Sequence, residues 1–279
     1  MIDPLAPDRL LLESVAMFVH PDIDPVALSI GPLAVHWYGL MYLLSFLIGW
    51  GLGIVRSKQP HVHWQREEVG DFLFYVVLGV VIGGRVGYML FYQPGLLLEN
   101  PLQLFYIWQG GMSFHGGMLG VIAAAGWFAR VTRRSFFDIT DFVAPIVPVG
   151  LFFGRIANFI NGELIGRVTD VPWAMIYPRI DMAPRHPSEL YEAALEGLLL
   201  FAILWWFASK PRPRMAVSGL FLIGYGCLRF FAEFFRQPDA FLGFVAFDWM
   251  TMGQILCTPM ILGGILLLAL AYRPQDSRP

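Results

Sequence analysis

Apolar residues form seven long stretches along the chain, separated by shorter polar connections. Each stretch is about 20 residues long, which is the length an α-helix needs to cross the hydrocarbon core of a bilayer. We predict membrane spans at 33–55, 71–92, 112–130, 139–160, 189–209, 217–235 and 253–272. The pattern therefore predicts an all-α polytopic membrane protein, with an N-terminal extension at 1–21, a seven-span transmembrane domain at 22–272 and a tail at 273–279.

Basic residues mark alternate connections. They are Arg56, Lys58, Arg66, Arg130, Arg133, Arg134, Lys210, Arg212, Arg214, Arg273 and Arg278, whereas the segment 93–111 has no Lys or Arg. Connections rich in Lys and Arg remain on the cytoplasmic side of a membrane. We therefore predict an outside N-terminus and a cytoplasmic C-terminus, with the polar, Pro-rich segment 161–188 forming a small exterior cap.

Composition excludes several classes of protein. Residues of the types AVILMFWYC make up 57% of the 279 positions, and charged residues only 14%. Soluble domains carry about 25% charged residues, so this chain has too few to cover a water-facing surface. The net charge of −2 excludes a generally basic nucleic-acid binder. Cys227 and Cys257 lie inside apolar runs, so we predict two buried thiols and no disulfide framework.

Ionisable residues inside the spans are the most informative positions, because a charge in a bilayer usually faces a cavity or a partner. Arg85 lies about 14 residues into its span, about 21 Å along the helix at 1.5 Å per residue, which is in the outer half of the bilayer. Arg155 and Arg229 come out at a similar level, and Tyr38 and His115 start descending spans near it. We predict a polar layer toward the outer leaflet.

Two interpretations of this layer remain open. In the structural one, Arg229 and Glu233 form an i, i+4 pair, and the other charges hold helices together. In the functional one, the three buried arginines exceed what Glu163, Glu192 and Glu233 need as partners, and the excess positive charge binds an anion. A lipid phosphate is the obvious anion, since Arg binds phosphate oxygens bidentately.

Local spacing supports a constructed site. Arg155 and Asn158 are i, i+3 on one helical face, and the turn signal Asn161-Gly162 then presents Glu163. His115 lies among glycines that allow a ligand or another backbone to approach closely.

A second polar segment runs from Arg185 to Glu189. Ser188 is predicted to cap the next helix, and Glu189, Glu192 and Glu196 are predicted to share one face of it. His186 is interpreted as part of this loop and cap, with a catalytic role as the alternative. No metal-binding, nucleotide-binding or nucleophile motif occurs elsewhere, so we predict no metal and no cofactor.

Several runs of residues resemble the prolipoprotein diacylglyceryl transferase family. They are HWYGLMY at 36–42, GGRVGYMLFY at 83–92, GGMSFHGG at 110–117, GRIANFINGELIGR at 154–167, RHPSELYEAALEG at 185–197 and GLFLIGYGCLRFFAEFFRQPD at 219–239. The resemblance extends from about Asp22 to the end of the last span, and the run at 154–167 is highly specific.

The resemblance implies a multi-pass enzyme of the bacterial cytoplasmic (inner) membrane. Such an enzyme transfers the diacylglyceryl group of phosphatidylglycerol to the lipobox cysteine of a prolipoprotein, forming a thioether and releasing glycerol 1-phosphate, as the first step of lipoprotein maturation. By motif match, Arg155 and Arg229 are its essential arginines. The remaining residues in or near the site are Tyr38, His115, Asn158, Glu163, Gly166, Glu233 and Arg236.

Residues and resemblance together give a hypothesis for the chemistry. Arg155 and Arg229 hold the phosphate, with Arg85 as a further lipid-binding residue, and Glu163 and Asn158 orient these groups. His115 or a carboxylate takes the thiol proton, and the choice between them stays open. The alternatives are a transporter or channel for an anionic solute and a noncatalytic lipid-binding scaffold, although no inverted repeat typical of transporters occurs.

Overall fold

The computed structural model describes residues 18–31, 33–107, 110–238 and 243–273. The helices are α1 Trp37–Ser57, α2 Arg66–Phe91, α3 Pro94–Glu99, α4 Phe114–Val131, α5 Phe136–Val143, α6 Val147–Asn161, α7 Ser188–Phe207, α8 Ala216–Ala232 and α9 Met252–Ala271. The strands are β1 Phe18–Val19, β2 Val26–Ile30, β3 Leu33–His36, β4 Met175–Tyr177 and β5 Asp181–Arg185. Residues 1–17 of the predicted N-terminal extension lie outside the described residues.

The apolar helices confirm a polytopic membrane protein. Among the described helices, α1, α2, α7 and α9 are long and apolar enough to cross a bilayer, and α5 with α6 makes a fifth span if the pair is counted as one. Large apolar side chains on these helices face outward, such as Phe74 and Trp206, which are 61% and 70% exposed. Such surface suits lipid rather than water. The count of seven spans and their orientation stay predictions.

The fourth predicted span, 139–160, is not one straight helix. It is divided into α5 and α6, which meet at an angle of 53°. Pro145 and Pro148 lie at the break. Proline lacks an N–H and clashes with the preceding turn, so it interrupts a helix at this point.

Short strands before the first helix and in the cap segment correct the all-α assignment. The predicted start of the first span, 33–36, is strand β3, which pairs antiparallel with β2 through a turn at Gly31. An apolar run of this length does not distinguish a strand from a helix. In the cap segment, β4 pairs antiparallel with β5 and parallel with β1, giving a three-stranded sheet in the order β1-β4-β5.

The chain divides into two compact units. The described residues of the first unit fall within 18–45, 147–203 and 221–265, and those of the second within 46–146, 204–220 and 266–273. In the first unit α6 packs closely on α7: a Cβ added at Gly197 would lie 2.6 Å from the Cβ of Phe152. This approach brings the polar face of α6 next to that of α7.

The second unit is built on contact between α2 and α4. A Cβ added at Gly120 would lie 1.9 Å from the carbonyl oxygen of Gly79, and one added at Gly116 would lie 2.3 Å from that of Gly83. Small residues at four-residue spacing let two helix backbones touch in this way. Beside this contact, Trp64 stacks on Phe142 with ring centroids 3.9 Å apart.

The two cysteines differ in their surroundings. Cys257 is buried, as predicted, whereas Cys227 is exposed on α8. The prediction for Cys227 was wrong because an apolar run on a membrane helix includes positions that face outward as well as positions that face protein.

Candidate active site

Three helices of the first unit bring their charged side chains together. Arg155 comes from α6, Glu192 and Glu196 from α7, and Arg229 from α8, with Glu233 just beyond the end of α8. We call these five residues the Arg–Glu cluster. Residues Ala193–Leu199 of α7 are π-helical, and this stretch carries Glu196. Short π-helical insertions in α-helices occur frequently at functional sites.

Ion pairs join the members of the cluster. Arg155 Nε lies 2.7 Å from Glu192 Oε2, and its Nη2 lies 3.4 Å from Glu196 Oε2. Arg229 Nη1 contacts Glu192 Oε1 and lies 3.5 Å from Glu196 Oε1. The predicted i, i+4 pair is confirmed, with Arg229 Nη2 at 2.6 Å from Glu233 Oε2. Glu192 therefore bridges both arginines.

This geometry corrects the predicted excess of positive charge. Two arginines face three carboxylates in the cluster, and Arg236 adds a third cation with its Nη1 3.8 Å from Glu192 Oε1. The prediction counted Glu163, which makes no ion pair among the described residues, and left out Glu196, which is fully buried. The cluster with Arg236 is balanced, as buried charges must be to avoid a large desolvation penalty.

Each guanidinium still has donors to offer. Arginine carries five N–H donors in a planar fork. The contacts of Arg155 and of Arg229 engage at most three of them, so at least two N–H groups on each have no protein partner among the described residues. Because carboxylates hold the two forks in place, their remaining donors are fixed before any anion arrives.

Asn158 connects Arg155 to the end of α6. Its side-chain oxygen accepts a hydrogen bond from Arg155 Nη1 at 3.5 Å, and its Nδ2 donates to Glu163 Oε2 at 3.3 Å. Asn161 Nδ2 donates to the other Glu163 oxygen at 3.1 Å. Asn158 is buried and Glu163 is exposed. A polar chain thus runs from the buried arginine to an accessible carboxylate, in agreement with the spacing of these residues in the sequence.

Glu233 is held from its other side by the start of α9. Thr251 Oγ1 donates to Glu233 Oε1 at 3.0 Å, while the Thr251 amide donates to the side chain of Gln254 at 3.0 Å. A Cβ added at Gly253 would lie 2.8 Å from the carboxyl carbon of Glu233. Sequence reasoning missed these residues. The available signal was a Thr followed three positions later by Gln, the pattern of a capped helix start.

Gly166 lies where two polypeptide segments cross. Its N–H donates to the carbonyl of His186 at 3.1 Å, and a Cβ added there would lie 2.2 Å from the same oxygen. Gly166 also forms a β-bridge with Arg236, and Arg167 Nε donates to the Arg236 carbonyl at 2.9 Å. Only glycine fits this crossing, which fixes the start of the cap segment against the chain that follows α8.

The start of α7 differs from its prediction. Ser188 is the first helical residue rather than the cap, and its hydroxyl donates to the carbonyl of Leu164 at 2.9 Å. Glu189 is fully buried, as are Glu192 and Glu196. It forms no ion pair with an arginine in the described part of the chain, and one of its oxygens accepts a hydrogen bond from the Tyr177 hydroxyl at 3.1 Å. Burial and the adjacent carboxylate raise the pKa of Tyr177.

His186 lies in an aromatic setting that supports the structural interpretation. Its Nδ1 lies 3.2 Å from the Tyr191 hydroxyl, and its ring packs against Phe235 at 5.1 Å between centroids. Partial burial lowers the pKa of His186 below its ordinary value. A neutral imidazole in this position links the cap segment to α7.

Tyr38 lies in the first turn of α1, in the same unit as the cluster. It is 37% exposed and its ring packs on that of Tyr42, with centroids 5.4 Å apart. It makes no hydrogen bond with the cluster among the described residues. The cluster therefore forms without Tyr38.

Arg85 and His115 belong to the second unit. Arg85 is buried and donates to four backbone carbonyls, those of Gln103, Leu104, Gly110 and Gly111. These bonds hold the segment that follows α3 and engage most of its donors. His115 lies exposed in the first turn of α4, whose cap Ser113 accepts from the Gly116 amide at 3.2 Å.

Comparisons with known proteins show similarity over nearly the whole chain. The sequence model of the family described as prolipoprotein diacylglyceryl transferase matches residues 25–270. Two similar proteins are named phosphatidylglycerol--prolipoprotein diacylglyceryl transferase. The one from Coxiella burnetii (strain RSA 331 / Henzerling II) is 58% identical over 260 residues, which is 93% of this chain and 100% of the relative. The one from Aliivibrio fischeri (strain MJ11) is 60% identical over 253 residues, which is 91% of this chain and 89% of the relative.

A third relative extends the same result. The protein of that name from Legionella pneumophila (strain Lens) is 57% identical over 251 residues, which is 90% of this chain and 98% of the relative. The match thus covers nearly the whole chain in all three cases.

Proposed function

The chain belongs to the prolipoprotein diacylglyceryl transferase family, and we propose that it transfers the diacylglyceryl group of phosphatidylglycerol to the lipobox cysteine of prolipoproteins. The observation that carries this proposal is the Arg–Glu cluster, in which two arginines are held by carboxylates and keep free donors. The family relationship supplies the substrates, and the cluster supplies a phosphate-binding geometry suited to them.

In the proposed reaction the cysteine thiolate attacks the glyceryl carbon that is bonded to the phosphate oxygen. A sulfur–carbon bond forms, the carbon–oxygen bond breaks, and its electron pair leaves with glycerol 1-phosphate. The departing phosphate gains negative charge. Fixed N–H donors of Arg155 and Arg229 stabilise that charge, by about 3 kcal/mol for each well-aimed donor group.

The thiol must lose a proton to react, because the thiolate is the nucleophile. Glu163 is one candidate base, since its side chain is exposed and is linked through Asn158 to Arg155. His115 is the other. The pH–rate profiles of His115→Gln and Glu163→Gln distinguish them. The base must be deprotonated to act, so the variant whose profile loses its acidic limb identifies the base, and an unchanged rate and profile excludes that residue.

Gly166, Glu233 and Arg236 have supporting roles in this proposal. Glu233 orients Arg229, and Gly166 allows the cap segment to cross the chain at Arg236. Arg85 shapes the segment after α3 through its carbonyl contacts, and its contribution to lipid binding is indirect. No step of this chemistry needs a metal or an organic cofactor.

The proposed location is the bacterial cytoplasmic membrane, with seven spans and the cluster open toward the outer leaflet. A membrane-impermeant maleimide tests the orientation on single cysteines introduced at Asp170 in the cap segment and at Arg212 between α7 and α8, in a background with Cys227 and Cys257 replaced by Ser. In intact spheroplasts we expect labelling at position 170 and protection at position 212. The reverse pattern contradicts the proposed orientation.

Transfer itself is tested with purified protein in phosphatidylglycerol vesicles and a peptide carrying a lipobox cysteine. We expect the peptide to gain the mass of a diacylglyceryl group and glycerol phosphate to appear in equal amount. A peptide with Cys→Ser, and vesicles of phosphatidylethanolamine alone, serve as controls and should give no product. Absence of both products with the full system rejects the transferase.

A further inference from the structure

A second polar site lies in the second unit, at the end of its helices where basic residues accumulate. The cavity has a volume of about 500 Å³ and is lined by residues from the end of α1, the loop before α2, the segments around α5 and the chain between α7 and α8. Five cationic side chains line it: Arg56, Arg134, Lys210, Arg212 and Arg214. We call it the basic cavity.

Only two carboxylates line the same cavity, and both are engaged. Asp138 forms an ion pair with Arg214 at 2.8 Å. Asp141 accepts hydrogen bonds from the amides of Met215 and Ser218 at 2.7 and 2.8 Å, which are donors near the start of α8. Its negative charge is thus directed at the beginning of a helix, where it interacts favourably with the helix dipole.

Three cations of the basic cavity have no carboxylate partner among the described residues. Arg56 is buried and donates only to the carbonyls of Ala208 and Asp141, at 3.2 and 3.3 Å. Its Nε has no hydrogen-bond partner. Arg212 donates to a backbone carbonyl, and Lys210 forms no ion pair.

Arg56 is the strongest indication of a ligand, because it forms no ion pair among the described residues and the nearby carboxylate of Asp141 is already bonded to Met215 and Ser218. A buried cation without an ion pair of its own is expensive, because burial removes its hydration and backbone carbonyls replace that hydration only in part. Arg134 shows the same lack on one atom: its Nη2 pairs with Glu68, while its buried Nη1 has no partner. An anion in the cavity would give Arg56 an ion-pair partner and the Arg134 Nη1 a hydrogen-bond acceptor.

Part of the lining of the basic cavity is aromatic. Trp64 and Phe142 line it as a stacked pair, and the Arg134 guanidinium lies over the Trp64 ring at 4.9 Å. A site with several arginine forks and one flat apolar wall suits a ligand with a multi-oxygen anionic group joined to a less polar part.

We propose that the basic cavity binds a phosphate-bearing anion, at a site separate from the transferase chemistry. The phosphate oxygens would accept from Arg56 and Arg212, with Lys210 as a further counter-charge. The phosphate belongs either to a phospholipid headgroup or to a free phosphate compound, and both sources present the same oxygens.

Binding is measured on the purified full chain in detergent with two probes, inorganic pyrophosphate and dihexanoyl phosphatidic acid below its micellar concentration. Ionic strength is held constant with sodium chloride. We expect saturable binding of at least one probe. Affinity at least about tenfold higher for the lipid identifies a headgroup, and equal or higher affinity for pyrophosphate identifies a free phosphate compound, because the acyl chains then add nothing.

Variants locate the binding. The double variant Lys210→Gln, Arg212→Gln replaces side chains that are not buried and should weaken binding at least about tenfold, since charge-assisted contacts to phosphate are strong. Arg56→Gln should have a similar effect if it folds, but the double variant decides the question without it. Arg130→Gln is the matched control, because Arg130 is an exposed arginine at the end of α4 that does not line the cavity.

Arg229→Gln separates this site from the Arg–Glu cluster and should leave the cavity affinity unchanged. The proposal is overturned if neither probe binds saturably, if Arg130→Gln weakens binding as much as the double variant, or if the double variant binds like the unmodified protein. None of these results depends on transferase activity.

Discussion

The Arg–Glu cluster and the basic cavity both contain buried arginines, and the arginines differ in whether carboxylates pair with them. In the cluster, Arg155 and Arg229 are each paired with two or more carboxylates. In the cavity, Arg56 is as buried as Arg229, but it donates to two backbone carbonyls and forms no ion pair among the described residues. A buried arginine can therefore be either a fixed part of a network or a charge that still needs a partner.

The difference bears on what each site can do. Paired arginines need little reorganisation when a substrate binds, because their positions are already fixed and only their remaining N–H donors contact the substrate. They suit chemistry in which charge develops during the reaction. Unpaired arginines gain a counter-charge from a bound anion, so they favour binding itself. The number of arginines alone does not separate these cases, but the position of the carboxylates does.

The largest expected effect comes from removing the carboxylate that bridges the cluster. Glu192→Gln leaves Arg155 and Arg229 short of a counter-charge in a buried site, and breaking a buried pair in this way costs about 3–5 kcal/mol. We expect a marked fall in the thermal unfolding temperature in detergent. Glu189→Gln is the matched control, since Glu189 is equally buried but bonds Tyr177 rather than an arginine. Equal destabilisation by the two variants would show that burial, not bridging, determines the effect.

Loss of an arginine from the cluster should affect the reaction more than the fold. Arg229→Gln removes donors aimed at the departing phosphate, and we expect diacylglyceryl transfer to slow by about 10²–10³-fold. The measurement is the initial rate of glycerol phosphate release. Lys210→Gln, in the basic cavity, should keep the rate within about twofold. Comparable losses in both variants would remove the distinction between the two sites.

A smaller effect is expected from the support behind the cluster. Gly253→Ala places a Cβ 2.8 Å from the Glu233 carboxylate, which must then move away from Arg229 or Thr251. We expect transfer to slow about tenfold, as for other losses of one charge-assisted contact. Gly263→Ala lies on the same helix with open space around it and should leave the rate within about twofold. An unchanged rate in Gly253→Ala would mean that Glu233 does not position Arg229.

The smallest expected effect concerns the negative charge of Asp141 in the lining of the basic cavity. Asp141→Asn removes a negative charge from the lining of the basic cavity, so pyrophosphate should bind about two- to threefold more tightly. The same change weakens the hydrogen bonds to the start of α8, which we expect to lower stability by about 1 kcal/mol. Calorimetric titration and thermal unfolding measure the two effects. Weaker pyrophosphate binding would contradict the assigned charge balance.

Much of the helical framework is visible in the amino-acid sequence. The apolar runs placed helices close to their observed positions, because burial in lipid requires about 20 apolar residues whatever the neighbouring helices do. The break between α5 and α6 was missed, although Pro145 and Pro148 were a readable signal for it. Strand β3 was missed for a different reason: its apolar residues continue into α1 without a change of pattern.

Contacts within one or two turns of a helix were also predictable. Arg155 with Asn158 and Arg229 with Glu233 follow from spacings of three and four residues, since those positions share a helix face. The family's motifs pointed to the same residues. None of this required knowledge of how the helices pack.

The partners that balance the cluster depend on the tertiary structure alone. Glu192 lies 37 residues from Arg229, and Glu196 lies 41 residues from Arg155 and 33 from Arg229. Helix packing at Gly197 decides that these side chains meet at all. The same holds for Arg56, which forms no ion pair in the described part of the chain, a property that is visible only once its neighbours are known. The order of the amino acids is enough to show which residues are apolar enough to enter the membrane and which charged residues accompany them. The packing of the helices determines which charges are compensated. A buried charge is stabilised by the polar groups within a few ångströms of it, and those groups can come from residues that are distant along the chain.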